Sequence, residues 1–195
     1  MNKLAILDFD KTIYRGDSMR DFARFLNPIV YLFSMTIVVF PTILFLVGLG
    51  SRDSVKKVFL RINFGKKSKE LLYKKGLEFF LLYKKRYFKK ALEWIEKNKV
   101  DTRLLIVSGS CHEWLQPFAD DLNAELLCTE LEYDQNDICT GFWKNENVTG
   151  EGKVRIVRKF IQLKEYSNIV AFGDQKSDSC LSVIADEFYL NYFQD

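Results

Sequence analysis

In the stretch LAILDFDKTIY, residues 4–14, an apolar run ends in two acids two residues apart, Asp8 and Asp10. Like charges so close repel, and the pairing calls for a chemical reason. Clustered carboxylates are tolerable around a hard dication, and Mg2+ takes one or two carboxylates together with waters and phosphate oxygens. A carboxylate can also attack phosphorus and form an aspartyl phosphate, dividing one hard displacement into two easier ones. On this reading Asp8 is the nucleophile. Asp10 is the general acid and base that protonates the leaving oxygen and later deprotonates water. Phosphoryl transfer needs charge neutralisation, so a hydroxyl and a lysine should hold the phosphoryl oxygens. Ser108 in RLLIVSGS supplies the hydroxyl, and Lys153 in GEGKV is preferred over Lys144 and Lys176 as the lysine. Gly173, Asp174 and Asp178 in GDQKSD add a second acidic turn.

These groups meet only if several strands end at one place. Residues 3–8 read as a buried strand, 103–110 as strand then turn, 124–130 and 168–174 as strands, and EFYLNY as a last one. Helical patterns over 111–122, 151–164 and 177–185 alternate with them, and 131–143 reads as a hairpin. Such alternation predicts an α/β fold with a parallel sheet and helices on both faces, whose ligands bind where the strands end. Residues 18–99 follow a different grammar. Asp17 or Ser18 caps a first helix, Ser51 or Ser54 caps another with Val55, Val58, Phe59 and Ile62 on one face, and a long helix runs from about Ser68 to Lys97. The chain therefore divides into a catalytic unit, residues 1–17 and 100–195, and an all-helical insert, 18–99.

DFDKT at 8–12, Ser108 in VSGS, Lys153 and GDQKSD at 173–178, in that order and with a helical insert after the first, resemble the four motifs of haloacid dehalogenase superfamily phosphatases. The position of the insert resembles the subclass whose helical cap follows the first motif, which includes phosphoserine phosphatase. The resemblance implies a Rossmann-like core and Mg2+ held by Asp8, the backbone carbonyl of Asp10, and Asp174, with Asp178 in support. Thr12 and Gly109, within the same motifs, join Ser108 and Lys153 as phosphate-binding residues. In phosphoserine phosphatases a glutamate after the first motif meets the substrate amine, and Asp17 stands at the matching position.

The 195 residues carry a net charge of only +3, but residues 51–99 hold sixteen Lys and Arg against five acids, and residues 100–195 eight against seventeen. Only the insert is strongly basic, which points to an anionic partner for that part. No nucleic-acid partner is expected. Residues 29–50 carry no charge at all and are long enough to span a bilayer. A single crossing would put Asp8 and Lys153 on opposite sides. The remaining options are a hydrophobic helical hairpin bent near Pro41 at a membrane surface, with Arg20, Arg24, Arg52, Lys56 and Lys57 beside it, or a buried helix pair inside the cap. An apolar segment early in the cap resembles the phosphatidylglycerophosphate phosphatases, so a lipid phosphate substrate stands beside a small soluble one such as phosphoserine. The four cysteines, Cys111, Cys128, Cys139 and Cys180, have no paired spacing, and no secretory signal precedes the first strand, so the expected location is cytoplasmic, peripheral or re-entrant at the membrane. A phospho-receiver domain shares the acids, hydroxyl and lysine but not an insert of this size. A non-enzymatic membrane-anchoring protein leaves the ordered acids unexplained. His112 reads as a packing or capping residue.

Overall fold

The computed structural model of the chain describes residues 3–144 and 146–194. Strand β1 (Lys3–Leu7) is the middle of a five-stranded sheet ordered β3-β2-β1-β6-β7, with β2 at Thr102–Cys111, β3 at Glu125–Thr129, β6 at Asn168–Gly173 and β7 at Glu187–Leu190. Every pair in it is parallel. Residues 4–7 are wholly buried, because a central parallel strand is covered on both faces and so is apolar at every position. Ala5 and Leu7 join Leu104, Ile106 and Phe172 on one face, while Leu4 and Ile6 join Leu105, Val107 and Ala171 on the other. The strand order reverses beside β1, and at such a switch point a crevice opens past the strand ends. β4 (Leu131–Tyr133) and β5 (Cys139–Trp143) form a separate antiparallel hairpin.

Helix α8 (Glu151–Phe160) and a 3-10 segment at Lys176–Val183 cover the second face. The first face meets α7 (His112–Asp121), which packs in turn on the insertion between β1 and β2. That insertion holds α1 (Ser18–Leu26), α2 (Pro28–Ile37), α3 (Val39–Leu46), α4 (Arg52–Asn63), α5 (Lys69–Tyr83) and α6 (Lys89–Asn98). Asp17, Ser51 and Ser68 cap α1, α4 and α5, each accepting from a backbone N–H of the first turn. Phe22 stacks on Trp114 at 4.7 Å, and Phe64 lies 5.1 Å from the same ring, so the insertion and α7 share one aromatic core.

Three expected helices are corrected. The helix expected over 68–97 is two, because Arg15 N–H donates to the Arg86 carbonyl at 2.7 Å and Phe88 N–H to the Ile13 carbonyl at 2.8 Å. The loop after Asp10 thereby competes for backbone groups that a continuous helix would use, and no Gly or Pro marks the spot. Beyond the break, Trp94 of α6 packs 4.8 Å from Phe172 of the sheet. The helix of 151–164 stops at Phe160, and that of 177–185 is 3-10.

Residues 29–50 form neither the hairpin around Pro41 nor a buried pair. The helical path continues through Val38, with Val38 N–H donating to the Ser34 carbonyl and Thr42 N–H to the Val38 carbonyl. Pro41 lacks the N–H that would reach Ile37, so α3 starts afresh with Pro41 in its first turn, where no partner is lost. The reversal comes at residues 48–51, and α4 packs back on both helices. Ser34 and Val38 face inward, whereas Ile29, Leu32, Phe33, Phe40, Leu46 and Leu49 are 61% to 79% exposed.

Candidate active site

The backbone holds Asp8 at the sheet edge, where its N–H donates to the Phe172 carbonyl at 3.0 Å and extends the β1–β6 pairing by one residue. The chain then coils tightly: the N–H groups of Thr12, Ile13 and Tyr14 all reach the Phe9 carbonyl, and Lys11 takes a left-handed φ of 58°. Gly16, at φ 150°, closes the loop where a Cβ would lie 2.8 Å from both Arg86 Nη2 and Asp21 Oδ2. That space is filled by an ion pair between Arg86 Nη1 and Asp21 at 2.6 Å.

Both oxygens of Asp8 are engaged. Oδ1 is 2.5 Å from Lys153 Nζ, and Oδ2 accepts from the Thr12 hydroxyl at 3.0 Å. Lys153, buried near the start of α8, also donates to Asp178 Oδ1 at 2.7 Å. Asp178 Oδ2 accepts from the N–H groups of Asp174 and Gln175, at 3.3 and 3.1 Å, and so sets the turn after β6. Asp10 points the other way. Its Oδ1 accepts from Ser18 N–H at 2.6 Å and its Oδ2 from the Ser110 hydroxyl at 3.0 Å. The Ser18 hydroxyl donates to Ser110 Oγ at 2.7 Å, and Trp114 Nε1–H reaches Ser18 Oγ at 3.4 Å.

A cavity of about 420 Å³ joins these groups. Asp8, Asp10, Asp17, Ser108, Gly109, Lys153, Asp174 and Asp178 all line it. Thr12 does not, since its hydroxyl is turned onto Asp8. Asp17 caps α1 and pairs with Arg20 at 3.5 Å, so its carboxylate is partly committed before any substrate arrives. His112 hydrogen-bonds Tyr73 at 3.0 Å. The far wall is Met35, Val38, Thr42 and Phe45 from the uncharged stretch, with Arg20, Arg52 and Lys56 nearby. Ser18, Ser110, Lys56 and Asn147 were not singled out as site residues from the sequence. Ser110 had a visible signal in the second serine of VSGS; the contacts of Lys56 and Asn147 depend on long-range packing.

Burial, and then the charges of Asp17 and Asp8, push Asp10 up to about 8. Burial, Asp8 and Asp178 push Asp174 up to about 7, and burial above all raises Asp8. Burial opposes the charge of Lys153, but Asp8 and Asp178 outweigh it and hold the ammonium above its ordinary range. The residues fit a hard cation: Asp8, Asp174 and Asp178 each offer an oxygen within 4.8 Å of the others, and their mutual repulsion marks a shortage of positive charge.

A family model described as haloacid dehalogenase-like hydrolase matches residues 5–182. The chain belongs to this family. Among curated protein sequences none matches significantly. Among solved structures, this hydrolase is similar to a protein of unknown function from Bordetella pertussis Tohama I, with a TM-score of 0.83, 18% identity and coverage of 96% of this chain and 89% of that one. A phosphoserine phosphohydrolase-like protein from Francisella tularensis subsp. tularensis SCHU S4 gives a TM-score of 0.69 at 22% identity, covering 95% and 85%. A probable phosphoserine phosphatase from Vibrio cholerae gives 0.71 at 14%, covering 97% of this chain and 56% of the other. At these identities the likeness is one of fold.

Proposed function

We propose that this hydrolase is a Mg2+-dependent phosphomonoesterase that works through an aspartyl phosphate on Asp8. The observation that carries the reading is the buried contact of Lys153 with both Asp8 and Asp178, beside Asp174, at the carboxyl edge of the sheet. An oxygen of Asp8 attacks phosphorus as the ester P–O bond breaks. Asp10, which keeps its proton near neutrality because burial raises it to about 8, gives that proton to the departing oxygen and releases an alcohol. Asp10 then takes a proton from the water that attacks the phosphoaspartate, phosphate leaves, and Asp8 is restored. Lys153 and the turn at Ser108 and Gly109 hold the phosphoryl oxygens, and Thr12 orients Asp8. Asp8, the Asp10 carbonyl and Asp174, with Asp178 behind them, would hold Mg2+, which when bound would supply positive charge to offset that of the transferring group.

Residues 1–17 and 100–195 serve as the catalytic core and 18–99 as a cap over it. For the substrate we favour an amphiphilic phosphomonoester, a lipid phosphate such as phosphatidylglycerophosphate, taken at an anionic membrane surface on the cytoplasmic side. The helix over Pro28–Leu46 is long and apolar enough to cross a membrane, with a mean hydropathy of 2.4, and only 11% of it is buried. Its hydroxyls at Ser34, Thr36 and Thr42 all donate to carbonyls of the same segment, which removes much of their cost in an apolar medium. The inner side of that segment walls the cavity, so an acyl chain and a phosphate head would each meet matching chemistry. Phosphoserine is the second reading: Asp17 lines the cavity where an acid would meet the substrate amine, but it is shorter than the glutamate of the phosphoserine phosphatases and is already engaged by Arg20. A screen of phosphomonoesters with Mg2+, including detergent-dispersed lipid phosphates, tests both. Turnover of lipid phosphates at least as fast as of aryl phosphate is expected, and a clear preference for phosphoserine would return the substrate to small soluble esters.

A further inference from the structure

Lys56 belongs to α4 of the insertion, yet its ammonium ends among three segments of the catalytic unit. Nζ donates to the Gly109 carbonyl at 2.6 Å, to Thr129 Oγ1 at 3.2 Å and to Asn147 Oδ1. An ammonium has three protons, and here each goes to a different piece of chain: the turn within β2, the end of β3, and the loop before α8. All three acceptors are neutral. Asp53 is reached only at second hand, through Asn147 Nδ2–H at 2.8 Å. A desolvated cation with no carboxylate in its hydrogen-bond shell is expensive, and packing alone would favour an apolar side chain at this place. The expense has a use, because Lys153 spends its charge on Asp8 and Asp178, whereas Lys56 lines the same cavity with, among the described residues, no carboxylate in contact and only the Trp143 ring at 5.5 Å and the indirectly linked Asp53 to offset its charge.

We propose that Lys56 is a positioning residue that ties the helical insertion to the Gly109 turn and so couples the seating of the insertion to phosphoryl binding. Gly109 follows Ser108 directly, and its own place is tight: an added Cβ would lie 2.6 Å from Thr149 Cγ2. Withdrawal of Lys56 frees this turn and the loop at Asn147 together, which loosens both sides of the phosphoryl site. The coupling is reciprocal, so an anion in the cavity supplies the counter-charge that Lys56 lacks and draws the insertion down. Burial pushes the Lys56 ammonium below its ordinary range. Of the groups facing it, Asp53 on its own helix favours the charge, and Asp10 after β1 does so once it loses its proton. The facing thiols of Cys111 and Cys128, raised by burial, stay neutral and add no charge.

The test compares wild type, Lys56→Met and Lys56→Arg, first for binding of inorganic phosphate by calorimetry with Mg2+ present, then for KM and kcat on p-nitrophenyl phosphate. Loss of a charge-assisted clamp should weaken phosphate and raise KM by roughly tenfold or more in Lys56→Met, with a smaller change in kcat. Lys56→Arg should recover most of that loss. Both proteins should lose some phosphate affinity as Asp10 gives up its proton on the alkaline side, and wild type should lose more at higher pH than Lys56→Arg, because guanidinium stays charged. Unchanged affinity and KM in Lys56→Met would overturn the proposal, as would an Arg variant no better than Met. If the Met variant does not fold, identical alkaline profiles for wild type and Lys56→Arg would overturn it. The proposal rests on the phosphomonoesterase reading, but the two fail separately: that reading falls if wild type binds phosphate without turning over any ester, and phosphate binding still decides the role of Lys56.

Discussion

Asp8 and Asp10 stand two residues apart and live in different environments, and the roles proposed for them rest on that difference. Asp8 lies against a cation, while Asp10 has only neutral donors, Ser18 N–H and the Ser110 hydroxyl. Asp10→Asn should therefore slow phosphorylation of the enzyme by alkyl phosphates by roughly 10²–10⁴-fold and by aryl phosphates much less, because a phenolate leaves without a proton. Single-turnover rates of alcohol or phenol release from paired alkyl and aryl esters check this, and equal losses would remove Asp10 from the acid role. Asp174→Ala takes one oxygen ligand from the candidate cation site. The Mg2+ concentration for half-maximal activity should rise by roughly tenfold or more, read from a metal titration of both proteins. The acids and the hydroxyl of this candidate site were legible in the sequence because they stand at the ends of apolar strands, and Lys153 because it opens a helical pattern. Lys56 was visible only as one of the basic residues beside the uncharged stretch and not as a site residue, because its partners lie 53 to 91 residues away.

Elements were readable where periodicity and caps agreed, as in α1 after Asp17 and α4 after Ser51. They were not readable where another part of the chain competed for the backbone, as between α5 and α6. The uncharged stretch could be recognised from composition, but which side faces out depended on packing. Phe40 and Ile43 are exposed, whereas Val38 is buried at the cavity wall. Phe40→Asp and Ile43→Asp should thus abolish co-sedimentation with anionic vesicles and leave hydrolysis of a soluble aryl phosphate nearly unchanged. Failure of wild type to sediment at low salt would exclude the membrane surface. In α7, Glu113 is buried, with Tyr133 OH donating to Oε1 at 2.8 Å and Oε2 without a partner among the described residues. Burial raises its pKa, so its favourable contribution is complete at low pH and is lost as pH rises from the ordinary carboxylate range through the raised value. Glu113→Gln should flatten that fall and gain about 1–3 kcal/mol above it, measured by urea unfolding across pH.

At the scale of the whole molecule, a parallel sheet gathers three acidic or hydroxylic strand ends to one edge, and a helical insertion closes the space above them. Three carboxylates within 4.8 Å of one another make the folded chain a better cation ligand than the unfolded one. Mg2+ should consequently raise the thermal midpoint, by the equivalent of about 2.7 kcal/mol at a hundredfold excess over its dissociation constant, and Asp174→Ala should lose most of that gain. The most direct test of the central claim is to trap the phosphoryl group. Asp10→Asn, mixed with Mg2+ and an aryl phosphate and quenched in acid, should carry one added phosphoryl group on the peptide that contains Asp8, because the first step no longer needs the acid and the second lacks its base. The same peptide should stay unlabelled in Asp8→Asn, with turnover reduced by more than about 10³-fold. Steady hydrolysis by Asp8→Asn at the wild-type rate, or a phosphoryl group on any other residue, would contradict the account.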